Sequence, residues 1–245
     1  MIKKIYLVGA GPGELDLLTL KAVKMLEQAD VILYDALVNE EVFQFCKEDC
    51  LKVNVGKRKG KHLKQQEEIN DLLVEYAKTH EVVVRLKGGT PFVFGRGYEE
   101  VRAIKEAGFE VEVVSGVSST TSVPESFMLP LVDRKFNDSY RTITGHDIDV
   151  FKSIVKSYHE RENLIITMGV HNIKNIVEYL LSIGFPKDLP IAVLSKGTTN
   201  DSSQRIFTLD EVNNQNEEFF EDLRKLTPAI LFIGRTILAM KEIQE

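Results

Sequence analysis

The sequence predicts an α/β protein, because strand-like and helix-like segments alternate along the chain. The segment "IYLVGAGPG" has the apolar run and glycine turn of a buried strand. Apolar residues at Ile69, Leu72, Leu73 and Tyr76 have the spacing of an amphipathic helix. The same alternation resumes after a Ser-, Thr- and Pro-rich stretch at 116–140.

In the first half, the strand candidates are "IYLVG", "DVILY", "EVVVRL" and "FEVEVV". A helical stripe begins at Leu20, after the first strand, and the spacing that includes Leu72 predicts a second helix. A third helix is predicted over 99–107, with Gly108 as its C-terminal stop.

The second half repeats the pattern. Apolar spacing predicts helices over 151–158 and 173–181, the latter ended by Gly184. "NLIITMG", "IAVLSKG", "QRIFTL" and "AILFIG" are strand candidates, and the acidic segment 210–224 is predicted to be a solvated connection and helix.

The stretch at 116–140 is weakly periodic, so we place a domain boundary in it and predict domains at 1–117 and 118–245. The length of 245 residues suits one large domain or two domains of roughly 100 to 130 residues each.

Composition narrows the class of protein. The net charge of −6 argues against bulk attraction to nucleic acid or to an anionic membrane. No apolar run approaches the ~20 residues of a membrane span, and "MIKK" leads directly into a strand rather than a signal peptide. We therefore expect a cytoplasmic protein. Cys46 and Cys50 have no further ligands at matching spacing, so we expect reduced thiols and no metal.

Glycine follows strand after strand in this sequence, at Gly9, Gly88, Gly169, Gly197 and Gly234. Ligands of open α/β sheets bind beyond the carboxyl ends of the strands, and glycine lets a ligand approach the backbone. Any one of these glycines could simply turn the chain, but together they favour a ligand crevice.

The first glycine loop, "GAGPGELD", invites comparison with the G-x-G-x-x-G loop of dinucleotide-binding proteins. Glu14 occupies the third glycine position and would repel pyrophosphate. Pro12 offers no N–H donor. The loop fits a neutral or cationic ligand better than a nicotinamide or flavin dinucleotide.

The segment "RLKGGTPFVFGRG" combines an accessible glycine pair, apolar side chains and Arg96. This combination suits a ligand with an apolar body beside an anionic group, although a structural turn with a buried Phe is an open alternative. Asp35 follows a strand and, taken alone, is most simply a turn or N-cap residue.

Cations cluster before the second predicted helix, among them Lys57, Arg58 and Lys59. Such a run is usually a solvated face, but in an acidic chain it could attract an anion locally. It lacks the interleaved aromatics of a single-stranded nucleic-acid site.

These motifs, in this order, resemble the tetrapyrrole methylases: "YLVGAGPGELDLLTLKA", "YDALV", "VGKRKGKHLKQQEEIN", "VVRLKGGTPFVFGRGYEE", "RTITGHD", "TMGV" and "SKGTTNDSSQR". The resemblance covers nearly the whole chain and is closest to members that methylate uroporphyrinogen III. It implies a homodimer of two α/β domains with S-adenosyl-L-methionine folded in the cleft between them. The implied reaction is two methyl transfers to carbon that give precorrin-2, an early step towards siroheme and cobalamin.

The resemblance also implies roles for individual residues. The implied cofactor contacts are Pro12, Gly88, Gly89, Thr90, Val93, Ser118, Ser119, Met168, Gly197 and Ala229. The implied catalytic or substrate-facing residues are Asp35, Arg96, Glu99 and Arg134. The chain departs from the family pattern at Thr90, where Asp is usual, and also at Tyr98, Ser115 and Asp133.

A cationic methyl donor accounts for the lack of phosphate-binding features in the glycine loops. An arginine, with a pKa above about 12, is a poor proton acceptor. We therefore expect Arg96 to bind a substrate carboxylate and Glu99 to orient it. The cations that we expect around the cleft, facing the acidic substrate, are Lys57, Arg58, Lys59, Arg85, Arg96 and Arg134.

Other interpretations stay open at this point. The chain could methylate a later corrin intermediate, diphthine or ribosomal RNA, although its acidic balance disfavours RNA. It could also be a ligand-binding module that keeps the fold without turnover.

Overall fold

A computed structural model describes residues 4–56 and 66–244. The chain divides into two compact units, an N-terminal unit of residues 1–119 and a C-terminal unit of residues 120–245. The boundary predicted from sequence lies at 117/118.

The N-terminal unit is a parallel sheet with helices on both faces. Its strands are β1 (Lys4–Gly9), β2 (Val31–Tyr34), β3 (Leu51–Asn54), β4 (Val82–Lys87) and β5 (Glu110–Val114), and its helices are α1 (Leu20–Gln28), α2 (Gln66–Thr79) and α3 (Gly97–Glu106). The strand order is β3-β2-β4-β1-β5, and every described pairing is parallel.

Apolar side chains on both faces of this sheet account for its apolar strands. Leu26 of α1 is fully buried on one face, and Leu73 of α2 and Ile104 of α3 are fully buried on the other. Strands that are covered on both faces read as continuous apolar runs, as β2 does. Because the strands are parallel, the loops after β1, β2, β4 and β5 all leave from one edge.

The C-terminal unit contains a mixed sheet. Its strands are β6 (Ser139–Thr144), β7 (Glu162–Thr167), β8 (Pro190–Ser195), β9 (Ser203–Thr208) and β10 (Ala229–Ile233), and its helices are α4 (Ser119–Ser126, which begins at the unit boundary), α5 (Ile148–Ile154), α6 (Ile173–Ser182), α7 (Leu209–Asn213), α8 (Glu217–Arg224) and α9 (Thr236–Gln244). The strand order is β6-β7-β10-β8-β9. β10 runs antiparallel to both of its neighbours, and β9 runs antiparallel to β8.

Several elements differ from their sequence predictions. The predicted helix over 151–158 ends at Ile154, because Val155 is an extended C-cap and Tyr158 packs on Phe185 outside the helix, with ring centroids 5.0 Å apart. The stretch at 116–140 contains α4, with Pro124 inside it, despite its weak periodicity. Strands β3 and β6 were not predicted.

The described residues contain neither a candidate membrane span nor a candidate metal cluster. No helix there is both long enough and apolar enough to cross a bilayer. No group of three or more His, Cys, Asp or Glu side chains is placed to hold a metal ion within 4–56 and 66–244.

Candidate functional site

The loops after β1 and β4 are joined through their backbones. The Gly11 N–H donates to the Gly89 carbonyl at 3.1 Å, and the Gly89 N–H donates to the Gly11 carbonyl at 2.8 Å. The Ala10 N–H also donates to the Lys87 carbonyl at 2.7 Å. The Gly-Pro-Gly segment that contains Pro12 is therefore fixed beside the glycine pair after β4.

The loop after β5 also packs against the loops after β1 and β4. The three loops meet at Gly9, Gly89 and Gly116, which we call the glycine trio. A Cβ atom at Gly9 would lie 2.6 Å from both the Gly89 carbonyl oxygen and the Gly116 nitrogen. A Cβ atom at Gly116 would lie 2.2 Å from the same carbonyl oxygen. No side chain fits at Gly9 or Gly116, so those glycines are required by the packing of the loops on one another.

Gly88 and the outer side of Gly89 are open by comparison. A Cβ at Gly88 would meet only the Leu37 Cβ, at 3.9 Å, and one at Gly89 would meet only Ser119, also at 3.9 Å. Ser118 and Ser119 stand at the start of α4. A side chain at Gly88 would fill a space that the described residues leave empty, so a ligand can approach this backbone, which we call the Gly88 cradle.

The prediction that strand-ending glycines together mark a ligand crevice is wrong for Gly234, whereas Gly169 and Gly197 are only tightly packed. Among those beyond Gly9 and Gly88, a Cβ would strike the protein's own atoms: Ile166 from Gly169 at 2.8 Å, Val123 from Gly197 at 2.6 Å, and Asn163 from Gly234 at 1.8 Å. Gly234 also lies at the opposite edge of its sheet, because β10 is antiparallel. Its N–H donates to the Pro190 carbonyl, at the beginning of β8.

Because β10 is antiparallel, its first residue, Ala229, lies at the edge of the sheet where β7 and β8 end. Ala229 begins β10 and pairs with Ser195, the last residue of β8. Ala229, Gly197 and Met168 therefore share one edge of the C-terminal sheet. Met168 is 48% exposed and adopts a left-handed backbone conformation with φ of 55°, a strained conformation of the kind that clusters at functional sites.

Arg96 and Glu99 form a bidentate ion pair at the start of α3. Arg96 Nε and Nη2 donate to the two carboxylate oxygens of Glu99 at 2.8 and 2.6 Å. Donation of these hydrogen bonds to Glu99 raises the pKa of Arg96, and their acceptance lowers the pKa of Glu99. Both side chains are about half exposed, so the guanidinium is both oriented and accessible.

The loop that carries Arg96 presents apolar side chains to solvent. Phe92 is 54% exposed and Phe94 44% exposed, so the alternative of a turn built around a buried Phe is wrong. Gly97 closes the loop, since its N–H donates to the Pro91 carbonyl at 3.2 Å. A Cβ at Gly97 would lie 2.4 Å from that oxygen.

A buried network of charges lies under the carboxyl ends of β2 and β4. Arg85 forms ion pairs with Asp35 and, through Nε at 2.9 Å, with Glu100. Lys87 Nζ lies 3.1 Å from Glu100 Oε2 and 3.8 Å from Asp35 Oδ2. Gln66 Nε2 donates to Glu100 Oε1 at 3.2 Å. We call Asp35, Arg85, Lys87 and Glu100 the charge network.

The network corrects one prediction and adds two residues. Arg85 is 1% exposed, so it does not face an acidic substrate as predicted. Lys87 and Glu100, also buried, were not among the predicted site residues. The signal that could have revealed them is the pair of cations two residues apart in an otherwise apolar strand, since such residues share one face.

The remaining predicted residues fall into three groups. Thr90 and Val93 lie in the loop after β4, where the Val93 N–H donates to the Thr90 carbonyl at 3.3 Å. Arg134 has an exposed side chain in the segment before β6. Lys57, Arg58 and Lys59 lie outside the described residues.

Comparison with known proteins places the chain in a family. A family model described as tetrapyrrole (corrin/porphyrin) methylases matches residues 4–213. A uroporphyrinogen-III C-methyltransferase from Methanocaldococcus jannaschii is 39% identical over 240 residues, 97% of this chain and 98% of the relative. A siroheme synthase from Acinetobacter baylyi is 37% identical over 98% of this chain, which spans 52% of that protein.

A solved structure agrees with this assignment. The uroporphyrin-III C-methyl transferase of Thermus thermophilus, complexed with S-adenyl homocysteine, superposes with a TM-score of 0.78 at 34% identity, covering 96% of this chain and 99% of that one. The predicted α/β class and the resemblance stated from sequence are both confirmed. By its sequence over most of its length and by its fold, this chain belongs to the tetrapyrrole methylase family.

Proposed function

We propose that this chain transfers methyl groups from S-adenosyl-L-methionine to ring carbons of uroporphyrinogen III, with two transfers giving precorrin-2 for siroheme or cobalamin synthesis. The observation that carries the proposal is the Gly88 cradle, an open backbone surface in a chain that matches the M. jannaschii enzyme over 97% of its own length. The complex of the T. thermophilus relative with S-adenyl homocysteine supports the choice of cofactor.

The cofactor would be held by neutral groups. They are Pro12, Gly88, Gly89, Thr90, Val93, Ser118 and Ser119 of the N-terminal unit and Met168, Gly197 and Ala229 of the C-terminal unit. When bound, S-adenosyl-L-methionine supplies an electrophilic methyl group on a sulfonium. None of these residues carries a positive charge that would repel it, and much of the catalysis would be the positioning of carbon against methyl.

Two groups of this chain would act on the substrate. Arg96, held by Glu99 through two of its nitrogens, would bind a carboxylate of the macrocycle. Because the ion pair raises the pKa of Arg96 further, Arg96 would remain a cation rather than accept a proton. Asp35 would face the pyrrole whose carbon is methylated.

We propose further that the protein is a cytoplasmic homodimer. Large apolar side chains at the surface are available for a subunit contact, such as Leu20 at 82% and Met128 at 61% exposure. Light scattering of the purified protein should give twice the mass of one chain; the mass of one chain would refute the dimer.

The decisive experiment is incubation with S-adenosyl-L-methionine and enzymatically made uroporphyrinogen III, followed by mass spectrometry. A gain of two methyl groups supports the proposal. No gain, with calorimetry showing that S-adenosyl-homocysteine binds, would identify a binding module without turnover on this substrate. Binding of NAD in preference to S-adenosyl-homocysteine would overturn the cofactor assignment.

A further inference from the structure

The charge network contains more charge than a structural role at this position requires. Arg85, Lys87 and Glu100 have side chains that are 2%, 3% and 0% exposed. Burying charges is costly even when they are paired, and apolar residues of similar volume would often serve stability as well. A network of this kind is therefore a candidate for a role in function.

Asp35 is the member of the charge network that is accessible to solvent. Its side chain is 31% exposed, whereas the other three members are buried. It follows β2, so it lies at the same edge of the sheet as the Gly88 cradle, which follows β4. Within the described residues, Asp35 is thus the member of the network that a substrate can reach.

Charge balance ties Asp35 to the cations beneath it. Arg85 and Lys87 bring two positive charges, and Glu100 brings one buried negative charge. The second negative charge is that of Asp35, which Arg85 contacts directly and Lys87 approaches to 3.8 Å. Both of its oxygens face a cation of the network, so the position of its carboxylate is set by Arg85 and Lys87.

We propose that Lys87 is a positioning residue that, together with Arg85, holds Asp35 as a fixed anion for the pyrrole nitrogen of the substrate. The inference rests on the proposed function. Alkylation of a pyrrole carbon places positive charge on the ring nitrogen until its N–H proton leaves to water. A preorganised carboxylate stabilises such developing charge without reorganising during the reaction.

The environment of Lys87 agrees with this role. Burial, and then the neighbouring Arg85, lower the pKa of Lys87, while Glu100 and Asp35 oppose them. Burial would lower the pKa of Arg85 as well, but Glu100 and Asp35 outweigh burial and raise it. The carboxylates thus favour the charged form of both buried cations.

The first test separates positioning from stability. Lys87→Met leaves Glu100 short of a partner and should lower both Tm and kcat. The double variant Lys87→Met/Glu100→Gln removes one charge of each sign, so Tm should recover, while kcat stays at least tenfold below wild type because Asp35 has lost one of its cations. Recovery of kcat together with Tm would overturn the proposal.

The second test is a double-mutant cycle, which isolates the coupling between two residues. If Lys87 acts through Asp35, then Lys87→Met in an Asp35→Asn background should reduce kcat by less than twofold beyond Asp35→Asn alone. Independent, multiplicative losses would contradict the proposal. The KM for S-adenosyl-L-methionine and calorimetric binding of S-adenosyl-homocysteine should be unchanged in the Lys87→Met/Glu100→Gln variant.

A matched control lies in the same unit. Lys47 pairs with Asp30 at 3.1 Å, near the start of β2, and Lys47→Met should leave kcat unchanged.

The proposed function and the proposed role of Lys87 would be refuted by different results. A wild-type protein that binds S-adenosyl-homocysteine but adds no methyl group to uroporphyrinogen III refutes the function, whereas an active wild type with a fully active Lys87→Met/Glu100→Gln variant refutes only the role of Lys87.

Discussion

Gly88 and Gly116 are both glycines after strands, but a Cβ atom would meet different surroundings at each. We predict that Gly88→Ala folds with a Tm within about 2 °C of wild type, since nothing described lies closer than 3.9 Å to the added Cβ. Its binding of S-adenosyl-homocysteine should weaken at least ~10-fold, about 1.4 kcal/mol, because the methyl fills the cradle.

Gly116→Ala is the contrasting variant. Its Cβ would meet a carbonyl oxygen at 2.2 Å, and overpacking of this kind costs about 1–3 kcal/mol. Calorimetric unfolding should show a Tm lower by several degrees.

Normal binding of S-adenosyl-homocysteine by a folded Gly88→Ala variant would remove the Gly88 cradle from the cofactor site.

Arg96 and Glu99 should respond unequally to substitution. Arg96→Lys loses the planar fork that binds carboxylates bidentately, and we expect kcat/KM for the tetrapyrrole to fall ~100-fold. Glu99→Gln keeps an acceptor oxygen and should lose less than ~5-fold. Steady-state kinetics measure both, and equal, mild losses would remove the substrate-binding assignment of Arg96.

Cys46 should be a slow nucleophile. Burial, and then the neighbouring Cys50, raise the pKa of the Cys46 thiol to about 11, so little thiolate exists at pH 8. Alkylation by iodoacetamide at that pH should be at least ~10-fold slower than for a free cysteine of pKa about 8.5, even after allowing for the greater nucleophilicity of a high-pKa thiolate. Mass spectrometry of the peptide containing Cys46 follows the rate; a rate equal to that of free cysteine would contradict the raised pKa of this half-buried thiol.

At the residue scale, the sequence predicts pairs that are close in the chain better than pairs that are distant. Arg96 and Glu99 are three residues apart at the start of a helix, and their association follows from that spacing. Arg85 and Glu100 belong to a strand and a separate helix, so their contact depends on how α3 packs on the sheet. That is why Arg85 was assigned to the substrate and Glu100 was overlooked.

At the scale of elements, one carboxylate secures the start of β4. Asp30 accepts hydrogen bonds from the Glu81 and Val82 N–H groups at 3.1 and 2.9 Å, and it pairs with Lys47. Burial alone would raise the pKa of Asp30, but the bonds from Val82, Lys47 and Glu81 outweigh it and lower the pKa.

Because the pKa of Asp30 is lowered in the folded state, the free energy of unfolding depends on pH. The stabilisation from Asp30 is fully present above the unfolded pKa of about 3.9 and is lost as pH falls through the lower folded value. Urea unfolding should therefore show a gap between wild type and Asp30→Asn at pH 7 that shrinks below pH ~4. Asp71→Asn, at an exposed site on α2, is the control; a gap that does not change with pH would contradict this role.

Element types were predicted better than strand directions. The strand "AILFIG" was identified correctly as β10, but its direction depends on the strands it pairs with, and these lie far away in sequence. The antiparallel pairing moves Gly234 away from the predicted site edge and brings Ala229 to it. α4 escaped prediction because its Ser, Thr and Pro residues favour turns locally, and its burial at Val123 and Pro124 depends on tertiary packing.

At the scale of the whole molecule, an acidic chain must bind an acidic substrate. Local cations such as Arg96 and Arg134 would have to overcome a net charge of −6. We predict that the KM for uroporphyrinogen III, which carries eight carboxylates, rises severalfold between low and 0.5 M salt as these attractions are screened. The KM for S-adenosyl-L-methionine, at a site of neutral residues, is the internal control, and a flat response for the tetrapyrrole would count against cationic recognition.

The glycine trio bears on how this scaffold can be redesigned. Three chain segments that are distant in sequence meet there backbone against backbone, so lengthening or reshaping one of them displaces the other two. Loop grafts at these segments should therefore fail as single changes. Phe92, Phe94 and Tyr98 have exposed side chains and, unlike Gly97 between them, have no such constraint. These three positions are where a library aimed at new acceptor molecules should be built.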